Sequence, residues 1–123
     1  CLWSYEFFKL LFEHLEPDGM ILTYSTSASI RNAMQAAGFE IGNIYNERLG
    51  KFSGTIATKD KSLIKSPLSE FDLGLLKTKA GIFYRDENLT ALNKAILERR
   101  NSEVKNSDKM STSHYNKLYK DNL

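Results

Sequence analysis

An α/β fold is predicted by three features of the first 58 residues. The first is the apolar run Met20-Ile21-Leu22-Thr23-Tyr24, preceded by the turn Glu16-Pro17-Asp18-Gly19. Proline fixes φ and glycine accepts φ > 0, so the four residues before the run end whatever precedes it. A short continuous apolar run suits a strand covered on both faces. The second feature is a helix pattern, with Ile30, Ala33, Met34 and Ala37 on one face and Gly38 where a left-handed C-cap belongs. Between strand and helix lie Ser25, Thr26, Ser27, Ala28 and Ser29, small residues that offer several N-caps. The third feature is a pair of short strand patterns joined by a polar turn, most simply an antiparallel hairpin. A strand that feeds a helix is half of a βαβ unit. In open α/β sheets ligands bind beyond the carboxyl ends of the strands, so Tyr24 to Ser29 is the first candidate site.

The remaining elements follow in order. Residues 4–15 form an amphipathic helix pattern, with Ser4 as N-cap and Glu6 at the positive end of the dipole. Phe8, Leu11, Phe12 and Leu15 share one face, with Phe7 beside them, while Lys9, Glu13 and His14 face away. Trp3 stands just ahead, as a core anchor or as a wall of a ligand pocket. After the central unit, residues 39–45 alternate as a strand with Phe39, Ile41 and Asn43 on one side. Residues 46–52 (NERLGKF) are a turn that carries Arg48 and Lys51 around Gly50, and residues 53–58 are a second strand.

Composition shifts at Lys59, which divides the chain into residues 1–58 and an extension of residues 59–123. In the extension, Leu68, Phe71, Leu75 and Leu76 fit a short helix and residues 80–86 a loop tucked onto the domain. Leu89 to Arg100 fits a further helix, with Leu89, Leu92, Ala95, Ile96 and Arg99 on one side. Beyond Asn101 apolar residues thin out, so the last twenty or so are expected to be mobile, or ordered by contact with another surface.

Bulk properties exclude several classes. A net charge of +2 is too small to imply a nucleic-acid partner by itself, and one cysteine excludes an internal disulfide or a CxxC metal site. His14 has no neighbouring ligand, so no metal site is assigned. No apolar run approaches the roughly 20 residues that span a bilayer, and no signal peptide is visible, so a cytoplasmic protein without a membrane partner is expected. The sequence lacks GxGxxG, P-loop, HExxH and GxSxG motifs. Nothing places Ser25, His14 and Asp18 together as a triad, and Asp72 and Asp86 make no carboxylate pair. Generic motifs therefore name no enzyme class and no catalytic residue.

The serial pattern carries more. LW…FF..L…LEPDGMILTYS….IRNAMQAAGF, followed by RLGKFSGTIAT, resembles the C-terminal half of a class I (Rossmann-like) S-adenosylmethionine-dependent methyltransferase. In that fold a fifth strand, a helix and an antiparallel sixth and seventh strand close the sheet. Leu2-Trp3, Thr23-Tyr24-Ser25, Ile30-Arg31, Ala37-Gly38-Phe39 and the glycine-basic loop narrow the match to the MnmC-like family. That family methylates 5-aminomethyl derivatives of the tRNA wobble uridine. Ile82 to Asp86 with Leu89, Arg99-Arg100 and Glu103 resembles the C-terminal extension of some members. The family's loop usually reads G-x-K-R, whereas here Phe52 follows Lys51.

The resemblance implies a function and its parts. The chain opens at Cys1 and enters a helix pattern almost at once, so it is expected to be cut from a longer protein. The half that binds S-adenosylmethionine, and the catalytic loop, would then lie before Cys1. The partners implied are tRNA, that N-terminal half and an FAD-dependent enzyme. An extruded base needs a stacking surface and edge hydrogen bonds. Trp3 and Tyr24 are candidates for stacking, Ser25 and Thr26 for polar contacts, and Arg31, Arg48 and Lys51 for phosphates. Structural alternatives stand beside these roles: Tyr24 packed at a strand end and Arg31 solvated on its helix. The rival functions are a non-catalytic RNA- or protein-binding module and an inactive truncated product.

Overall fold

A computed structural model describes residues 3–86 and 93–121. The chain begins with α1 (Tyr5–His14), capped by the Ser4 hydroxyl, which accepts from the Phe7 amide at 3.2 Å. A turn leads into β1 (Met20–Thr23), and the hydroxyl-rich loop leads into α2 (Ala28–Ala37). Gly38 ends α2 at φ 118°, a conformation that excludes a side chain at low cost, as its position in the sequence predicts. There follow β2 (Glu40–Asn46) and β3 (Lys51–Thr58), the predicted antiparallel hairpin, with β3 starting two residues earlier than its sequence pattern.

The sheet order is β1-β3-β2-β4, antiparallel at each pairing. Because β3 returns between β1 and β2, those two strands run in the same direction and α2 is the crossover between them. β4 (Ser66–Pro67) adds a short edge against Gly42 and Asn43, so the extension contributes to the sheet itself. The fold is thus α/β with an antiparallel terminal hairpin and a helical C-terminal extension, in agreement with the fold class predicted from sequence.

One apolar core holds these parts together. Phe8 from α1, Ala33 and Met34 from α2, Phe39, Ile41 and Ala57 from the sheet, and Leu68 and Leu76 from the extension are all buried in it. Phe12 packs edge-on against Phe39 at 5.1 Å between centroids, beside the end of α2. The N-termini of α1 and α2 therefore both lie toward the carboxyl end of β1.

Within this chain the reading of β1 as covered on both faces does not hold: Ile21 and Thr23 are half-buried, but Met20 is 45% and Leu22 62% exposed. β1 stands at the end of this chain's strand order, and the helices of this chain pack against one of its faces. The C-terminal residues also differ from a mobile tail. Helix α3 (Glu70–Leu75) is followed by α4 (Asn93–Asn106) and α5 (Thr112–Asp121), and α5 lies on α3. The Phe71 ring meets Tyr115 and Tyr119 at 5.2 and 4.9 Å, and the Tyr115 hydroxyl donates to the Phe71 carbonyl. The surface that orders the tail is thus in the same chain. Ile96 of α4 is buried as its pattern predicts, whereas Cys1, Leu2, Leu89 and Leu92 lie outside the described residues.

Candidate functional site at the carboxyl end of β1

Three segments meet at the carboxyl end of β1: the loop 24–29, the first turn of α2 and the β2–β3 hairpin. A close approach of backbones joins them. A Cβ on Gly54 would run into the Thr23 carbonyl and crowd the Tyr24 Cα, so glycine lets β3 lie against the end of β1.

The loop is organised by its own hydroxyls. The Thr23 hydroxyl accepts from the Ser25 amide at 3.2 Å, the Ser25 hydroxyl from the Ser27 amide at 3.2 Å, and Ser27 and Ser29 share a hydrogen bond of 2.8 Å. These are turns in which short polar side chains replace backbone partners. They leave Thr26 exposed and Ser25 half-buried, with Tyr24 projecting at 91% exposure. Tyr24 therefore does not pack at the strand end.

Arg31 departs most from the sequence expectation. It is neither solvated nor turned to the surface: only 4% of it is exposed. Its Nε donates to Thr55 Oγ1 at 2.8 Å, and its Nη2 donates to Asn43 Oδ1 at 2.8 Å and to the Gly54 carbonyl at 3.3 Å. Thr55 in turn donates to the Ser25 carbonyl at 2.7 Å. Asp72 of α3 stands 3.9 Å from Nη1 and accepts from Asn43. Burial pushes the Arg31 guanidinium below its usual value, and the Asp72 carboxylate opposes that shift without cancelling it. The guanidinium therefore braces the site loop against both strands and the extension, and its donors point away from any phosphate outside.

The other predicted residues fall into two groups. Tyr24, Ser25 and Thr26 share the loop, with Arg48 and Lys51 on the exposed hairpin at the same end of the sheet. Neither Arg48 nor Lys51 has an ion-pair partner among the described residues. Trp3, 41% exposed, lies before α1 with its ring 6.0 Å from the buried Phe8 ring, so it is half anchor and half surface. Sequence reasoning passed over Tyr45 and Phe52, which are 50% and 53% exposed and pair at the hairpin. The apolar residues flanking NERLG were the available signal.

The loop does not fit S-adenosylmethionine. No Asp or Glu stands between Gly19 and Gly38 to receive ribose hydroxyls, and the Ser27 and Ser29 hydroxyls are bonded to each other. Cavities of about 290 and 390 Å³ open on the C-terminal part, and neither is lined by residues of this loop. Among the described residues no group of three or more acidic, histidine or cysteine side chains could hold a metal, and no helix is long and apolar enough to cross a membrane.

Comparison with known proteins adds a family match over the first half of the chain. Residues 1–60 match the model of an S-adenosyl-L-methionine-dependent methyltransferase family. The crystal structure of MNMC2 from Aquifex aeolicus is similar with a TM-score of 0.76 and 28% identity, over 86% of this chain and 34% of that one. The uncharacterized protein MJ0670 of Methanocaldococcus jannaschii is 29% identical over 101 residues, 80% of this chain and 28% of its own length. The chain thus spans about a third or less of each of these relatives.

Proposed function

We propose that this chain, whose residues 1–60 match an S-adenosyl-L-methionine-dependent methyltransferase family, belongs to the MnmC-like members of that family and forms the substrate-side wall of a tRNA-modifying enzyme. In this reading residues 1–58 close the methyltransferase sheet, and residues 59–123 are an extension that adds the short edge strand β4 and packs on the rest. The group methylated is the aminomethyl substituent of a wobble uridine. The cofactor supplies the electrophilic methyl group and is held by other residues of the complete protein, since loop 24–29 does not fit it.

The observation that carries the proposal is the convergence at one sheet end of a projecting Tyr24, a preorganised hydroxyl loop and two cations with no ion-pair partner among the described residues. Each suits one task in handling an extruded nucleotide. Tyr24 offers a ring face for stacking, and Ser25 and Thr26 offer donors and acceptors to a base edge. Arg48 and Lys51 offer charge to phosphates, which contributes affinity rather than selectivity. Arg31 acts behind the surface by holding the Ser25 carbonyl through Thr55. Such positioning is what an amine acceptor requires, because the barrier is lowered by orientation and exclusion of water.

The test is an electrophoretic shift with bulk tRNA at low and moderate salt. The chain is expected to shift tRNA at low salt and to lose affinity as salt rises. No shift at low salt refutes the proposal. Titration calorimetry with S-adenosylmethionine is expected to give no heat with this chain alone, and binding would refute the assignment of the cofactor site to other residues.

A further inference from the structure

The β2–β3 register holds an irregularity with a consequence for binding. Ile44 pairs with Gly54, but the next residue, Tyr45, pairs with Phe52, so Ser53 is an extra residue in β3. Without that bulge Tyr45 would face Ser53. With it, two aromatic rings stand opposite each other, centroids 5.3 Å apart and planes at 71°. Bulges near sites commonly re-aim side chains in this way. Both rings are about half exposed, although buried aromatic area is what normally stabilises such a pair.

The turn beyond the rings is fixed rather than loose. Asn46 binds it twice, its carbonyl accepting from the Gly50 amide at 2.8 Å and its side-chain oxygen from the Leu49 amide at 3.1 Å. Arg48 lies in the turn between the two ring-bearing strands and Lys51 directly precedes Phe52, and neither has an ion-pair partner among the described residues. With Glu47 opposing them, the tip carries a net positive charge. Exposed rings beside unpaired cations on a rigid turn match the chemistry of single-stranded nucleic acid, which presents base faces and phosphates together. An A-form duplex hides its base faces, and an apolar protein partner leaves the cations without a role.

We propose that the Tyr45–Phe52 pair is a stacking platform for an unpaired base of the RNA substrate, with Arg48 and Lys51 on the adjoining phosphates. The inference rests on the RNA-binding reading above and adds a second base contact beside Tyr24.

Two kinds of contact respond differently to salt, and the experiment uses that difference. Affinity of the chain for a fluorescent single-stranded oligouridine and for a duplex RNA of equal length is measured across a salt series. Tyr45→Ala and Phe52→Ala are each expected to weaken single-strand binding by about five- to one-hundred-fold, with the salt slope unchanged. The double variant Arg48→Ala, Lys51→Ala is expected to flatten that slope by about 1.4. Tyr45→Leu with Phe52→Leu keeps apolar bulk and is expected to bind as poorly as the alanine variants, while Tyr45→Phe binds as the parent does. Folding of each variant is checked by circular dichroism, and the leucine pair carries the test if an alanine variant fails to fold. Parental affinity in the folded ring variants overturns this inference alone, as does a preference of the parent for duplex RNA. No RNA binding by the parent chain at any salt overturns the RNA-binding reading together with it.

Discussion

Arg31→Met is the substitution that best separates a structural brace from a surface cation. The variant keeps an unbranched stem in the interior and removes the three donors that reach Thr55, Asn43 and Gly54. Asn43 Oδ1 and Thr55 Oγ1 then lose their 2.8 Å partners in residues that are 8% and 0% exposed. An unsatisfied buried acceptor costs about 1–3 kcal/mol, and Asn43 Oδ1 is left so, while the Thr55 hydroxyl keeps its bond to the Ser25 carbonyl. Removing a guanidinium that burial already disfavours offsets part of this, which leaves a net loss of about 1–2 kcal/mol. Asp72 contributes little to the sum, because it stands at 3.9 Å with its side chain 26% exposed. Asp72→Asn is therefore expected to cost under about 1 kcal/mol. Urea unfolding followed by circular dichroism reads both values from the midpoint at constant slope. Amide exchange at Ser25 and Ser27 is expected to quicken in Arg31→Met, since Thr55 then holds the Ser25 carbonyl less firmly. A midpoint equal to the parent's, or a larger loss from Asp72→Asn, would refute the brace.

Three further outcomes follow from local geometry. Gly38→Ala places a Cβ 3.0–3.2 Å from the Phe12 ring at a residue with φ 118°, so a loss of about 1–3 kcal/mol is expected in thermal unfolding. Burial, with the charges of Tyr119, Asp72 and Glu70, raises the Tyr115 phenol above its ordinary 10. The folded state then holds that proton more tightly than the unfolded chain, so stability falls as pH rises past 10, and Tyr115→Phe is expected to remove that part of the decline. Hydrogen bonds from the Ser62 hydroxyl and then its amide hold the Asp60 carboxyl below its ordinary 3.8. Their stabilising effect is present above that value and is lost as pH falls through the lowered one. Ser62→Ala is expected to move the Asp60 carbon chemical-shift titration back toward 3.8, and an unmoved titration would contradict the assignment.

What the sequence made legible was what local rules govern. The cap at Ser4, the turn before Gly19, the left-handed end at Gly38 and the hairpin after Asn46 each depend on a few neighbouring residues, and each lies where its residue types predict, although Gly19 closes its turn without the positive φ that Gly38 and Gly50 adopt. Arg31 was illegible for a different reason. Its place one step off the apolar stripe of α2 reads as solvent, because helical periodicity describes one packed face. Helix α2 is covered on a second flank by the extension, whose Asp72 is distant in sequence. A weaker signal was present, however. Asn43 sits in the inward row with Phe39 and Ile41, and Thr55 sits directly opposite it in register. Two inward polar side chains paired across strands require a buried partner, and an arginine on the helix that covers them meets that requirement.

The same distinction accounts for β1. Its run of apolar residues correctly marks a strand, but residue type alone does not say which face the rest of a sheet covers. Here Ile21 joins the core, whereas Leu22 is exposed and Tyr24 extends beyond the strand. A tyrosine exposed at the carboxyl end of a strand, above a loop whose hydroxyls bind one another and whose carbonyl is held by a buried arginine relay, is rigidly placed at its base and free at its ring. Packing would account for a buried Tyr24, and a loose tail for an unbraced one. A braced base with a solvent-facing ring is the arrangement expected of a contact residue, because ordering the backbone in advance lowers the entropy lost on binding.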